Sequence, residues 1–186
     1  AGPAAAAASY TGWARVLRNN HNGTVTVEAP PDMGLPSLVM WRERIMPDTM
    51  IIASNAPDWA VELYSNDPSS FWTQYEEYTQ RVVDLVGDRV THYQVWNEAN
   101  HIIDPFAADD DSQLFSRAGP IFRASDPGCV LYINAMANLA GWEEDVTSWI
   151  ADAGDYIDVI GVDHYAGTWA TVPYDDWGPV DTLLTR

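Results

Sequence analysis

Four short apolar runs punctuate the chain: "TMIIAS" (49–54), "HYQVW" (92–96), "CVLYIN" (129–134) and "YIDVIGV" (156–162). Each is near-continuous rather than alternating, the pattern of a strand covered on both faces in a parallel sheet. Between them apolar residues recur at helical spacing. "SSFWTQYEEYTQRVVDLVG" (69–87) stops at Gly87, while "DDSQLFSRAGPIFRASD" (110–126) and "GWEEDVTSWIADAG" (141–154) open with acids suited to a helix N-terminus. "LPSLVMWRERIM" (35–46) reads as a helix ahead of the first strand, and "DDWGPVDTLLTR" as the first turns of another. Strands that alternate with helices in this way predict an α/β fold of right-handed β/α repeats around a parallel sheet.

Polar residues follow each run. Asn55 comes after the first, Asn97 and Glu98 after the second, Asn134 at the end of the third, and Asp163 and His164 after the fourth. In a parallel array these strand ends point to one face, so residues far apart in sequence are expected to converge there. Aromatics are concentrated near the same ends: Trp59, Trp96, Trp142, Tyr165 and Trp169. Flat apolar rings with a few polar groups suit a sugar, whose faces are rich in C–H and whose rim is hydroxyl. The competing reading makes Glu98 a cap or an ion-pair partner and each Trp a core residue.

Composition narrows the partners. The 186 residues carry 27 acidic side chains against 9 basic ones, all Arg, for a formal net charge of -18. Such a surface repels phosphate backbones and anionic membranes, so nucleic-acid and membrane partners are not expected and an uncharged substrate is. Two readings of the acidity stay open: adaptation to high salt, and a coding bias that replaced Lys with Arg. No run reaches the roughly 18 apolar residues of a spanning helix. The opening "AGPAAAAASY" lacks the basic start and Leu-rich centre of an intact signal peptide but matches what cleavage would leave. We expect residues 1–22 to be a poorly ordered Ala-rich leader and 23–186 to be one domain. The expected location is secreted or extracellular, with a cytoplasmic one left open.

Other chemistry is thin. Cys129 stands alone in an apolar run and is expected to be a core residue. The four His show no metal-ligand spacing, and the Asp triplet at 109–111 lacks the alternation and Gly of a calcium loop. "NGT" at 22–24 is a glycosylation sequon only in a secreted eukaryotic protein. Neither a phosphate loop nor a nucleophile elbow is evident, and no cofactor or metal is expected.

"VWNEAN" (95–100) resembles the Asn-Glu signature at the end of the fourth strand of clan A retaining glycoside hydrolases, which are (β/α)8 barrels. "ASNAPDWA" (53–60) resembles the segment after their third strand, and "IDVIGVDHYAGTW" (157–169) their sixth strand with its His-Tyr pair. The resemblance covers about residues 35–186. It implies that Glu98 is the general acid/base, that Asn97 bonds the hydroxyl beside the anomeric carbon, and that His164 and Tyr165 lie near the partner carboxylate. The wall of Trp96 would then help keep Glu98 protonated.

The second carboxylate is the open question. The resemblance places the nucleophile on a seventh strand, whereas a barrel of about 250 residues leaves room here for roughly strands two or three to six, with "GTVTVEAP" (23–30) as a remnant of the second. Such a partial barrel is expected to self-associate through open sheet edges. Within the chain Asp163 is the first candidate for the missing acid, followed by Glu143 and Glu144. The competing readings have Asp163 bound to neighbouring groups and the Glu pair opening a helix. Three functions therefore compete: a glycosidase acting on β-linked oligo- or polysaccharide, a non-catalytic carbohydrate-binding or structural remnant, and another (β/α) hydrolase such as an esterase.

Overall fold

The computed structural model describes residues 14–16, 50–53, 58–100, 110–137 and 140–163, without the side chains of 14–16, 52, 53, 58 and 59. In chain order the elements are β1 (Ala14–Val16), β2 (Met50–Ala53), α1 (Asp58–Asn66), α2 (Pro68–Val86), β3 (His92–Gln94), α3 (Asp111–Ser125), β4 (Val130–Met136), α4 (Trp142–Ala153), a 3-10 turn (Gly154–Tyr156) and β5 (Val159–Asp163). The sheet order is β1-β2-β3-β4-β5, and β2 to β5 run parallel. The fold is thus α/β, with a four-stranded parallel sheet built from β/α repeats.

The strand order never reverses. Right-handed crossovers that all step the same way put their helices on the same side of a sheet, and α1, α2, α3 and α4 do pack in sequence, each on the next. One face of the sheet therefore carries the helical layer. Leu131, Ile133 and Ala135 of β4 point into it and are fully buried, and Tyr93 of β3 stacks on Phe122 of α3 at 4.3 Å. Because side chains alternate along a strand, the other face receives Gln94, Tyr132 and Asn134. His92 and Tyr132 meet there with ring centroids 5.9 Å apart. The apolar runs predicted equal cover on both faces. Among the described residues the second face is the more open, with Tyr132 half-buried and Val159 exposed.

Local chemistry sets the helix ends. Asp67 caps α2 by accepting from the Ser70 N–H at 3.2 Å, Pro68 stands where no N–H is needed, and the Gly87 N–H closes the last turn on Val83 O at 2.7 Å. The buried stripe of α2 runs from Phe71, Trp72 and Tyr75 through Tyr78 and Val82 to Val86, the three-to-four spacing of an amphipathic helix. Tyr75, wholly buried, donates its hydroxyl hydrogen to Leu114 O of α3 at 3.2 Å, and burial pushes its pKa far up. The two helices are tied again outside the core, where Arg117 pairs with Glu76 at 2.7 Å and lies over the Trp72 ring.

The structure differs from the expected elements at several points. Ala14–Val16 pairs antiparallel with β2 inside the segment expected to be a leader. Helix α1 occupies "DWAVELYSN", where the sequence suggests only a post-strand segment; Ala60 is buried and Leu63 and Tyr64 pack on the core. The third run continues as a strand to Met136, so Asn134 lies within β4 rather than beyond it. The predicted helix at 35–46, the remnant strand at 23–30 and the closing helical turns lie outside the described residues.

At the N-terminal ends of β4 and β5 a separate cluster holds the sheet. Asp158 Oδ2 accepts from the Leu131 N–H at 2.7 Å, and both Asp158 carboxylate oxygens accept from Arg123 Nη2 at 2.7 Å, while Arg123 Nη1 donates to Cys129 O. Cys129 is buried, as expected of a core residue.

Candidate functional site

The C-terminal ends of β3, β4 and β5 are joined by one run of side-chain hydrogen bonds. Beyond Gln94 the ladder continues for one residue, Val95 N–H donating to Tyr132 O at 3.0 Å, and the chain then leaves the sheet through Trp96, Asn97 and Glu98. Asn134 of β4 lies beside that exit. Its Oδ1 accepts from the Glu98 N–H at 2.7 Å and from Gln94 Nε2 at 2.9 Å, and its Nδ2 donates to Asp163 Oδ2 at 2.6 Å. Gln94 Nε2 also donates to Trp96 O at 2.9 Å and to Asn97 Oδ1 at 3.2 Å, and Asn97 Nδ2 faces Glu98 Oε2 at 3.5 Å.

Glu98 is half-buried and has φ 50°, and it is the one described non-glycine residue with positive φ. The left-handed conformation costs an L-residue about 1–2 kcal/mol. The bond from its own N–H to Asn134 supports that conformation. Two residues on, Asn100 fastens the same loop to β4: its Oδ1 accepts from the Met136 N–H at 2.9 Å and its Nδ2 donates to Met136 O at 3.3 Å. Asn100 also reaches Asp145 in the first turn of α4, whose carboxyl is pushed up by burial and by nearby Glu144, an effect the Asn100 bond partly offsets.

Gly161 is what lets β5 lie close to this network. It is the register partner of Asn134, and a Cβ on it would stand 3.2 Å from the Asn134 Cβ. At the next inward position Asp163 opposes Met136, and the Ala137 N–H donates to Asp163 O at 2.9 Å.

The structure thus brings together Asn97, Glu98, Asn134 and Asp163 of the residues singled out in the sequence. Others are placed differently. Trp96 does not form an open wall: its ring is 2% exposed and meets Tyr75 of α2 edge-on at 6.1 Å. The reason is that the turn after β3 carries the ring toward the helical layer, where burying its large apolar surface is favoured. Trp142 opens α4 and is likewise buried. Asn134, expected at a substrate rim, is 7% exposed with both ends of its amide engaged inside the protein. Glu143 and Glu144 occupy the first turn of α4, the placement that a helix-opening role predicts. Asn55, His164, Tyr165 and Trp169 lie outside the described residues, as does the side chain of Trp59.

Gln94 and Asn100 went unselected in the sequence. Gln94 had a visible signal, as a lone amide in the apolar run "HYQVW". Among the described residues no group of three or more His, Cys, Asp or Glu is arranged to hold a metal, and no helix is long and apolar enough to cross a membrane. A cavity of about 650 Å³ between the C-terminal ends of α2 and α3, lined by Gln80, Asp84, Asp88 and Ser125 among others, lies at the opposite end of the strands from Glu98.

The chain matches no known family model and no curated protein. Solved structures similar to it include a psychrophilic glycoside hydrolase family 10 endo-beta-1,4-xylanase, at 21% identity over 62% of this chain and 39% of that one, with a TM-score of 0.46. Another is the beta-glucuronidase of Bacteroides uniformis, at 11% identity over 87% of this chain and 21% of that one, also at 0.46. The chain therefore spans well under two thirds of either. At this TM-score neither likeness carries an argument, and the α/β class rests on the strand order of the chain itself.

Proposed function

We propose that this chain is the central part of a (β/α)8-barrel glycoside hydrolase of the clan A type, acting on β-linked oligo- or polysaccharide. The observation that supports it most is Glu98, a carboxylate held in a left-handed conformation at a parallel strand end by the buried amide of Asn134. Strain of this kind concentrates at functional sites, because it persists only where the surroundings over-determine it.

In this reading Glu98 protonates the leaving oxygen and then activates water, while Asn97 bonds the hydroxyl beside the reacting carbon. Asn97 Nδ2 donates to Glu98 Oε2 at 3.5 Å, so the two groups that would meet the substrate stand side by side. Asp163 is the candidate second carboxylate, to attack or stabilise the oxocarbenium-like centre. A specific observation favours the rival reading of a non-catalytic carbohydrate-binding module: Asp163 Oδ2 is already taken by the Asn134 amide at 2.6 Å.

Hydrolysis of aryl β-glycosides and β-linked polysaccharides separates the two. On the glycosidase reading the chain turns over a β-glycoside, Glu98→Gln lowers kcat by about 10²- to 10⁴-fold, and Asp163→Asn lowers it as well. Sugar binding without turnover supports the rival. Ester hydrolysis that depends on Glu98 would instead identify another kind of (β/α) hydrolase.

A further inference from the structure

We infer that Gln94 is a positioning residue of this site: its buried amide donates to Asn97 Oδ1 and so turns the Asn97 NH2 group outward, toward Glu98 and a substrate hydroxyl. The inference rests on the reading of Glu98 and Asn97 as the working pair of a glycosidase. No part of the sequence signature marks Gln94, which sits one strand residue before the exit.

An amide has an acceptor end and a donor end, and which way each one points follows from partners that have no choice. At one end of the network the Glu98 backbone N–H can only donate, so Asn134 must present Oδ1 to it, at 2.7 Å. That leaves Asn134 Nδ2 for Asp163 Oδ2, at 2.6 Å, where a carboxylate accepts. Two independent partners therefore assign the same orientation to Asn134.

Gln94 follows from this. Its amide nitrogen lies 2.9 Å from Asn134 Oδ1 and 2.9 Å from the Trp96 carbonyl, and a carbonyl oxygen only accepts. Both neighbours require a donor, so the nitrogen of Gln94 must be the end that faces them. At 3.2 Å from the same nitrogen stands Asn97 Oδ1. Two hydrogens serve three acceptors there, with one hydrogen shared, and no donor end of Asn97 would be tolerated at that place. Asn97 is thereby left with Nδ2 pointing away from the core. Gln94 itself is 7% exposed, so water does not substitute readily for its bonds.

The consequence for the reaction is specific. With Asn97 Nδ2 outward, the residue donates to the Glu98 carboxylate and offers a donor to a hydroxyl oxygen; flipped, it would set its oxygen against that carboxylate and meet a hydroxyl only as an acceptor. Gln94 acts through Asn97 and need not touch substrate.

The test uses the full 186-residue chain. Proton NMR contacts of the Asn97 side-chain NH2 are expected to the Glu98 side chain, and in Gln94→Met they are expected to weaken or vanish while the contact of the Glu98 N–H with Asn134 persists. Kinetically, Gln94→Met is expected to lower kcat/KM on an aryl β-glycoside about 10- to 100-fold, the scale of a misplaced contact group. In the double variant with Asn97→Ala it should cost nothing beyond Asn97→Ala alone. Unchanged Asn97 contacts in Gln94→Met, or two losses that multiply, would overturn the inference. If Gln94→Met does not fold, absence of the Asn97-to-Glu98 contact in the unmutated chain overturns it and presence supports it. An unmutated chain without turnover that shows the NMR pattern and its loss removes the glycosidase reading but upholds the orienting role of Gln94. Turnover with unchanged contacts does the reverse.

Discussion

The Tyr156 ring lies directly against the backbone of Gly119. A Cβ at position 119 would stand 2.3 Å from the Tyr156 Cγ and 2.4 Å from its Cβ, closer than any real contact. Gly119 is inside α3, where glycine costs about 1 kcal/mol relative to alanine, so the sequence accepts a poorer helix in order to seat the turn after α4. Gly119→Ala is therefore expected to destabilise the fold by about 2 kcal/mol in urea unfolding, despite the propensity gain. The control is Gly154→Ala, at φ -56°, where the added Cβ would meet only Ile150 Cγ2 at 3.6 Å. It is expected to be neutral or stabilising by up to about 1 kcal/mol.

Glu98→Gly and Glu98→Ala both remove the carboxylate, but only glycine removes the left-handed strain at φ 50°. Glu98→Gly is expected to be the more stable of the two by about 1 kcal/mol, and on the glycosidase reading neither turns over substrate. Equal unfolding midpoints would show that the loop changes conformation when the side chain is lost.

The acid limb of stability should carry the mark of Asp158. Burial pushes its carboxyl up, but the Leu131 N–H and Arg123 more than offset that and hold it below the ordinary 3.8. Between the folded and unfolded values the unfolded chain binds the extra proton. The contribution is thus fully present above the unfolded value and is lost as pH falls through the depressed folded one. The stability difference between the unmutated chain and Asp158→Asn is expected to be largest near pH 6 and to shrink steadily below about pH 4. A constant difference from pH 6 to 3 would rule the linkage out.

Three of the four described helices, α2, α3 and α4, were legible because their signals are local, whereas α1 was not read as a helix. The patterns at 69–87, 110–126 and 141–154 became Pro68–Val86, Asp111–Ser125 and Trp142–Ala153, each end within one residue, since caps and three-to-four spacing are written in consecutive positions. Strand β4 was read too short because a polar residue, Asn134, looks like an ending when its partners are unknown. Gln94 and Asp163, far away in sequence, are what make it an interior position. The same ignorance hid the place of Trp96. A tryptophan beside an Asn-Glu step reads as a binding wall until Tyr75, 21 positions earlier, is seen to cover it. Glu98 and Asn97 were visible as polar residues after an apolar run, but the amide network behind them depends on three strands meeting and has no linear signature.

The unbroken order of the sheet also bears on how the chain is made. Every described strand pairs with the strand before it in sequence, and every helix with the helix before it. No strand has to wait for a later one to be inserted between it and its neighbour. A chain emerging from the ribosome at about 5–20 residues per second can therefore lay each repeat onto a surface already present. The amide of Asn134 would reach Glu98 first, and the carboxylate of Asp163 would then reach Asn134, in the order in which they are synthesised.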